Sequence, residues 1–153
     1  MPIPTPKDQK KILEQGAEIL AQVLAPHDFK YYLVTSGKAH GGAFAQGEFV
    51  RSNRKLELHF RYSLGIVNYH IGKQVLSHVS YMRGLLRRNG LSHYPPFSEG
   101  PLAGFEALRH DLTEYCSDFI DGNGEQFSEC IEKNKKYESL TGLQKMESAQ
   151  SNI

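Results

Sequence analysis

From Ala45 to Arg61 the chain reads AQGEFVRSNRKLELHFR. Apolar and polar side chains alternate on both sides of Ser52-Asn53, a dipeptide typical of a turn between two strands. An antiparallel hairpin with this turn has three facing apolar pairs: Phe49 with Leu56, Gly47 with Leu58, and Ala45 with Phe60. The hairpin therefore has one apolar face and one polar face.

The same alternation continues in both directions, over residues 29 to 71. Breaks at residues 37 to 42, at Ser52-Asn53 and at Leu64-Gly65 divide this stretch into four short strands. The sequence therefore predicts a four-stranded antiparallel meander. The other contacts in this register are Tyr62 with Val67, Phe60 with Tyr69, Leu58 with Ile71, Leu33 with Ala45, and Tyr31 covering Gly47.

One helix is predicted before the sheet and three after it. Thr5, Pro6 and Asp8 supply a capping hydroxyl, a proline at the first helical position and a capping carboxylate, so the first helix covers about residues 6 to 25. Apolar spacing places the others at about 77 to 88 with a stop at Asn89-Gly90, from Pro101 through Phe119, and after a break at 121 to 124 to about 138. Tyr94-Pro95-Pro96 is predicted to be a loop. The expected fold class is α+β.

Length and composition are those of one globular domain. The 153 residues are 39% apolar and 10% aromatic, which excludes a disordered or collagen-like chain. Apolar anchors are few after residue 138, so we expect a single domain over residues 1 to 138 and a frayed tail over residues 139 to 153. No stretch approaches the roughly 18 apolar residues of a membrane span, and the start lacks signal-peptide features, which favours a cytoplasmic location without membrane contact.

The polar face of the predicted sheet carries the candidate functional residues. The register places Tyr32, Gln46, His59 and His70 in one row across the strands. Such a patch would hold a small anionic or polar ligand, or supply an acid and a base, whereas the alternative is an ordinary solvated sheet face. The candidate ligand-binding residues are His59, His70, Arg61, Glu48, Glu57, Gln46, Tyr32 and Asn68.

Motifs for catalysis or metal binding are missing from the sequence. It has no His-Glu-x-x-His run, no paired-cysteine motif, no Gly-x-Ser-x-Gly elbow and no phosphate-binding glycine fingerprint. Cys116 and Cys130 fall on apolar helical stripes, where thiols are usually inert. We therefore predict no metal and no cofactor, and consider an enzyme less favoured than a binding protein.

Charge is distributed unevenly along the chain. From Arg51 to Arg88, eight basic residues accompany one acid, a balance of +7, whereas from Glu99 to Glu129 eight acids accompany one base, a balance of −7. Either the two segments pack together and neutralise each other, or each faces a different partner. Nucleic acid is disfavoured as the ligand, because the chain is near neutral and lacks a nucleic-acid-binding motif.

Three functional hypotheses remain open from the sequence. The first is a small cytosolic binding or interaction protein without an identifiable catalytic motif. The second is a protein or enzyme that uses the His/Arg/Glu patch to bind a small anionic ligand. The third is a stoichiometric inhibitor such as a bacterial immunity protein. The oligomeric state does not follow from the sequence.

Overall fold

The computed structural model describes residues 5–40, 42–85, 92–95 and 100–139. The fold is α+β, as predicted, with an N-terminal helix, an antiparallel sheet and further helices after it. The helices are α1 (Pro6–Leu24), α2 (His78–Leu85), α3 (Ala103–Tyr115), α4 (Ser117–Ile120) and α5 (Glu125–Glu138), and a 3₁₀ turn covers Ala25–His27. The strands are β1 (Lys30–Ala39), β2 (Gly42–Arg51), β3 (Arg54–Arg61), β4 (Ser63–Ile71) and β5 (Gln74–Ser77).

The sheet has five strands in sequence order, not the four that were predicted. The additional strand, β5, follows a turn at Gly72, whose φ is +59°, and pairs with β4. It is only four residues long, and its buried Leu76 fits the helical spacing of the residues that follow. The four residues of β5 therefore fit the sequence pattern of the start of α2 as well as that of a strand.

The register between β2 and β3 is the predicted one, with all three facing pairs present. The register predicted between β3 and β4 is wrong, because the chain turns at Tyr62 and not at Leu64-Gly65. Tyr62 adopts a left-handed φ of +64°, and its N–H donates to the Gln9 side chain at 2.7 Å. Gly65 is an extra residue in a β-bulge, so that Leu64 and Val67, three positions apart, both face the core.

A second bulge changes the register between β1 and β2. Tyr31 faces Phe49, not Gly47, and the pairing shifts between Leu33 and Thr35. The predicted covering of Gly47 is nevertheless present, because a Cβ added there would collide with the Tyr31 ring. Regular alternation cannot reveal such single-residue insertions.

The helices agree with the sequence prediction except at some of their ends and at one break. The capping box of α1 forms between Thr5 and Asp8, and α5 ends at Glu138 as expected. The helix predicted from Pro101 to Phe119 is two helices, since α3 starts at Ala103 and the chain breaks at Cys116. The predicted stop of α2 at Asn89-Gly90, Pro96 of the predicted loop, and all but the first residue of the predicted tail lie outside the described residues.

All described helices pack on the same face of the sheet. Helix α1 lies against β1 to β3, α3 lies against α1 and β4, and α2 and α5 lie against β5 and each other. The core between these layers contains fully buried Phe49, Leu58 and Tyr69 from the sheet. No helix of the described segments is long and apolar enough to cross a membrane.

The basic β2–β3 hairpin docks onto the acidic segment at one end of the sheet. Arg54 donates to the carbonyl oxygens of Asp118 at 3.0 Å, Phe119 at 2.6 Å and Gly122. Arg51 donates to the carbonyl oxygen of Ile120 at 2.6 Å. The two oppositely charged segments therefore do pack together, and these contacts are made to backbone oxygens at the end of α4.

Candidate functional site

The face of the sheet opposite the helices, here called the open face, is the candidate site. Its apolar side chains are well exposed: Tyr32 by 52%, Ile66 by 55% and Val75 by 47%. The polar side chains between them are partly exposed. The open face also includes Phe44, Gln46, Glu48, Lys55, Glu57, His59, Arg61, Asn68 and His70.

Glu57 lies at the centre of the polar residues on this face. Its carboxylate accepts a hydrogen bond from His59 Nε2 on the same strand and another from His70 Nε2 at 2.8 Å. The amide of Asn68, which faces Glu57 directly on β4, lies 3.4 Å from the same carboxylate. One carboxylate thus gathers three side chains from two strands.

Partial burial and hydrogen bonding have opposite effects on the acidity of Glu57. Burial raises its pKa, but the hydrogen bonds from His59, His70 and Asn68 outweigh burial, and the pKa is lowered. The group is therefore a carboxylate at neutral pH. A carboxylate with a lowered pKa is a weak proton acceptor, which favours a role in holding its neighbours in place.

The predicted row across the strands was wrong, although several of its members come together. Gln46 faces His59 as predicted, but His59 faces Ile66, and His70 faces Lys55. The two histidines are therefore joined through Glu57 and do not lie side by side.

The remaining predicted residues lie around this cluster on the open face. Tyr32 and Glu48 face each other across β1 and β2, one row from the Gln46–His59 pair. Glu48 also lies 3.8 Å from Lys55 Nζ. Arg61 is at the end of β3, beyond His59.

A hollow of about 360 Å³ opens at the end of the face where β3 turns into β4. Its lining includes Phe44, His59, Arg61, Ser63 and Ile66. The Arg61 guanidinium lies over the Phe44 ring, 5.7 Å from its centroid, and Arg61 Nη1 is 3.4 Å from the carbonyl oxygen of His40. The β4 bulge shapes this hollow, since Gly65 also lines it.

A second polar cluster, which was not predicted from the sequence, is buried between the helices and the sheet. Asp111 of α3 is fully buried and accepts five hydrogen bonds. Its carboxylate oxygens receive the side chains of His78 at 2.8 Å, His110 at 3.0 Å and Ser92, and the backbone N–H groups of His93 at 2.7 Å and Tyr94 at 3.2 Å. Asp111 therefore links α2, α3 and residues 92–94.

The cluster continues through His78 into the core. With His78 neutral, its Nδ1 accepts from the Tyr69 hydroxyl at 2.7 Å, and Cys116 Sγ lies 3.8 Å from the same hydroxyl. Burial raises the pKa of the Cys116 thiol well above its usual range, so the thiol stays protonated at neutral pH. We interpret this chain of hydrogen bonds as structural.

One sequence signal for the buried cluster was present. Asp111 lies three residues after Leu108 and directly before Leu112, so it falls on the apolar stripe of α3. A carboxylate on a buried stripe needs hydrogen-bond donors. The donors come from distant segments, and the sequence did not indicate them.

No protein family, curated protein or solved structure matches this chain. Within the described ranges, no three His, Cys, Asp or Glu side chains are grouped so as to hold a metal ion.

Proposed function

We propose that this chain is a protein-binding module that recognises a partner protein with the open face of its sheet. One observation carries the proposal: the described helices all cover the other face, leaving exposed apolar side chains such as Tyr32, Ile66 and Val75 on this one. Grouped apolar side chains among polar ones are typical of an interaction surface.

The size of the open face fits this function. Five strands about 4.8 Å apart and about eight residues long cover roughly 19 by 26 Å, or about 500 Å² before side-chain relief is added. A standard protein interface buries about 800 Å² on each partner. The sheet face is thus large enough to form the main part of such an interface.

The hollow also fits a protein partner better than a free small molecule. Its volume of about 360 Å³ is near the lower end of small-molecule sites, and it lies on an exposed sheet face. A small ligand gains affinity from being mostly enclosed, whereas a partner needs only an anchor pocket surrounded by further contacts.

Matched substitutions on the two sides of the protein test this proposal. Ile66 lies on the open face, and Val79, exposed by 59%, lies on α2. We expect a partner recovered from extracts of the source cells to bind the wild type and Val79→Glu equally, and Ile66→Glu at least about tenfold more weakly. Calorimetry on the purified pair measures these affinities.

The same measurement at several salt concentrations tests the electrostatic part of binding. We expect weaker association at high salt, because exposed charges are screened beyond about 8 to 10 Å. Recovery of no partner, or equal binding of Ile66→Glu and wild type, would contradict the proposed function.

A further inference from the structure

Basic side chains outnumber acidic ones in the sheet. Between Lys30 and Ser77 the chain has seven Lys or Arg residues and only two carboxylates, Glu48 and Glu57. Glu48 lies beside Lys55, and Glu57 is held by two histidines. Both carboxylates of the sheet are therefore already engaged.

The cations at the two ends of the sheet differ in their contacts. At one end, Arg51 and Arg54 donate hydrogen bonds to backbone carbonyl oxygens of α4. At the other end, Arg61 has no carboxylate partner among the described residues, and its only hydrogen bond there is the long one to His40. The hollow thus lies in the part of the sheet with uncompensated positive charge.

Resting on the proposed protein-binding function, we propose that the hollow is an anchor pocket for an acidic side chain of the partner protein, held between Arg61 and His59. The Phe44 ring supports one face of the Arg61 guanidinium, which leaves the edge of the guanidinium available for a carboxylate. Phe44 and Ile66 provide apolar walls for the methylene groups that carry this carboxylate.

His59 is oriented for the same task. Its Nε2 is hydrogen-bonded to Glu57, so its ring is fixed at the edge of the hollow. Its Nδ1 has no hydrogen-bond partner among the described residues. When the ring is protonated, Nδ1–H becomes a second donor to a bound carboxylate. Ser63 is exposed at the lining and adds a hydroxyl.

Two small probes of nearly the same shape, one ending in a carboxylate and one in an amide, test the pocket without the partner. The probes are N-acetyl-glutamate amide and N-acetyl-glutamine amide, titrated at pH 6 into the full chain while NMR follows the His59 ring and the Arg61 side chain. We expect saturable shifts with a millimolar dissociation constant for the glutamate probe and at least about tenfold weaker binding of the glutamine probe.

Matched arginine variants localise the binding. We expect the Arg61→Gln variant to show no probe-induced NMR shifts. Arg109 lies on α3, on the other side of the sheet from the open face, and we expect the Arg109→Gln variant to keep these shifts. Equal binding of the two probes, shifts that avoid the hollow, or unchanged binding by Arg61→Gln would each overturn the proposal.

The partner itself separates this proposal from the proposed function. If Ile66→Glu abolishes partner binding but Arg61→Gln leaves it unchanged, the open face is the interface and the acidic anchor is wrong. If both weaken binding and Arg109→Gln does not, both proposals are supported.

Discussion

The Tyr94 hydroxyl lies 2.6 Å from the carbonyl oxygen of Gly65, and it is also 2.6 Å from that of Leu64. Tyr94 is buried, and its backbone N–H donates to Asp111. A single residue therefore connects the buried Asp111 cluster to the β4 bulge that shapes the hollow. Burial raises the pKa of Tyr94 to about 12, so its hydroxyl remains a donor at neutral pH.

Replacing Tyr94 tests whether this contact holds the bulge. We expect Tyr94→Phe to lower the free energy of unfolding by about 1 to 2 kcal/mol, because the two carbonyl oxygens lose the one hydroxyl proton that they share. We also expect weaker binding of the glutamate probe, since the bulge is less well fixed. Urea unfolding and NMR titration measure the two effects, and an unchanged probe affinity would show that the bulge holds its shape without the hydroxyl.

The β-bulges explain which parts of the sheet could be predicted from the sequence. Between β2 and β3 the pattern is strictly alternating, so the turn at Ser52-Asn53 gives every facing pair correctly. Between β3 and β4, Leu64 and Val67 require an inserted residue before both can face the core. Hydrophobic periodicity carries no separate signal for that insertion.

The candidate site could be predicted as a set of residues but not as an arrangement. Glu57, His59, His70 and Asn68 follow from alternation alone, because residues two apart share a face. The central role of Glu57 depends on the diagonal distance to His70, which the bulge changes. The Asp111 cluster depends on contacts between distant segments and could not be predicted in detail.

The buried carboxylate of Asp111 makes stability dependent on pH. Burial raises its pKa, but the hydrogen bonds from His78, from the His93 backbone and from Ser92 outweigh burial and hold the pKa well below its ordinary value of 3.8. Below about pH 4 the unfolded chain therefore takes up a proton that the folded protein does not. The stability from this group is complete above pH 4 and decreases as the pH falls.

Asp111→Asn isolates this contribution. At pH 7 we expect this substitution to lower the free energy of unfolding by about 3 to 5 kcal/mol, because the amide cannot accept hydrogen bonds from all five donors. Below pH 4 the difference from wild type should narrow by up to about 1.4 kcal/mol per pH unit. Urea unfolding of both proteins from pH 7 to pH 2.5 measures this difference in the free energy of unfolding. A difference that stays constant over this range would mean that the Asp111 pKa is not lowered.

The two faces of β3 should respond differently to truncation. Phe60 is buried and stacks on Phe105 with ring centroids 5.8 Å apart, so Phe60→Ala should cost about 3 to 5 kcal/mol through the cavity it leaves. The neighbouring His59 is partly exposed, and His59→Ala should cost less than about 1 kcal/mol. Equal costs in chemical denaturation would show that the face assignment is wrong.

The docking of the basic hairpin depends on Arg54 in particular. Arg54→Ala removes the donors to three backbone carbonyls, and we expect it to lower the free energy of unfolding by about 2 to 4 kcal/mol. Lysine at position 54 should restore less than half of this free energy, because it lacks the planar guanidinium group that donates to several acceptors at once. Arg61→Ala, at an exposed site, should change stability by no more than about 0.5 kcal/mol, and a similar cost for both arginines would contradict this interpretation.

His59 should contribute to the affinity of the hollow for a carboxylate. Its ring lines the hollow, and its Nδ1, when it carries a proton, is a second donor beside Arg61. We expect His59→Gln to bind N-acetyl-glutamate amide about three- to tenfold more weakly than the wild type at pH 6, as measured by NMR titration.

A matched variant of the second histidine assigns this contribution to one ring. His59 lines the hollow, whereas His70 contacts the other oxygen of Glu57 and is not part of the lining. His70→Gln should therefore keep most of the wild-type affinity for the glutamate probe. Since both rings share the Glu57 carboxylate, an equal loss of affinity in the two variants would show that they act together through Glu57, and wild-type affinity of His59→Gln would exclude His59 as the donor.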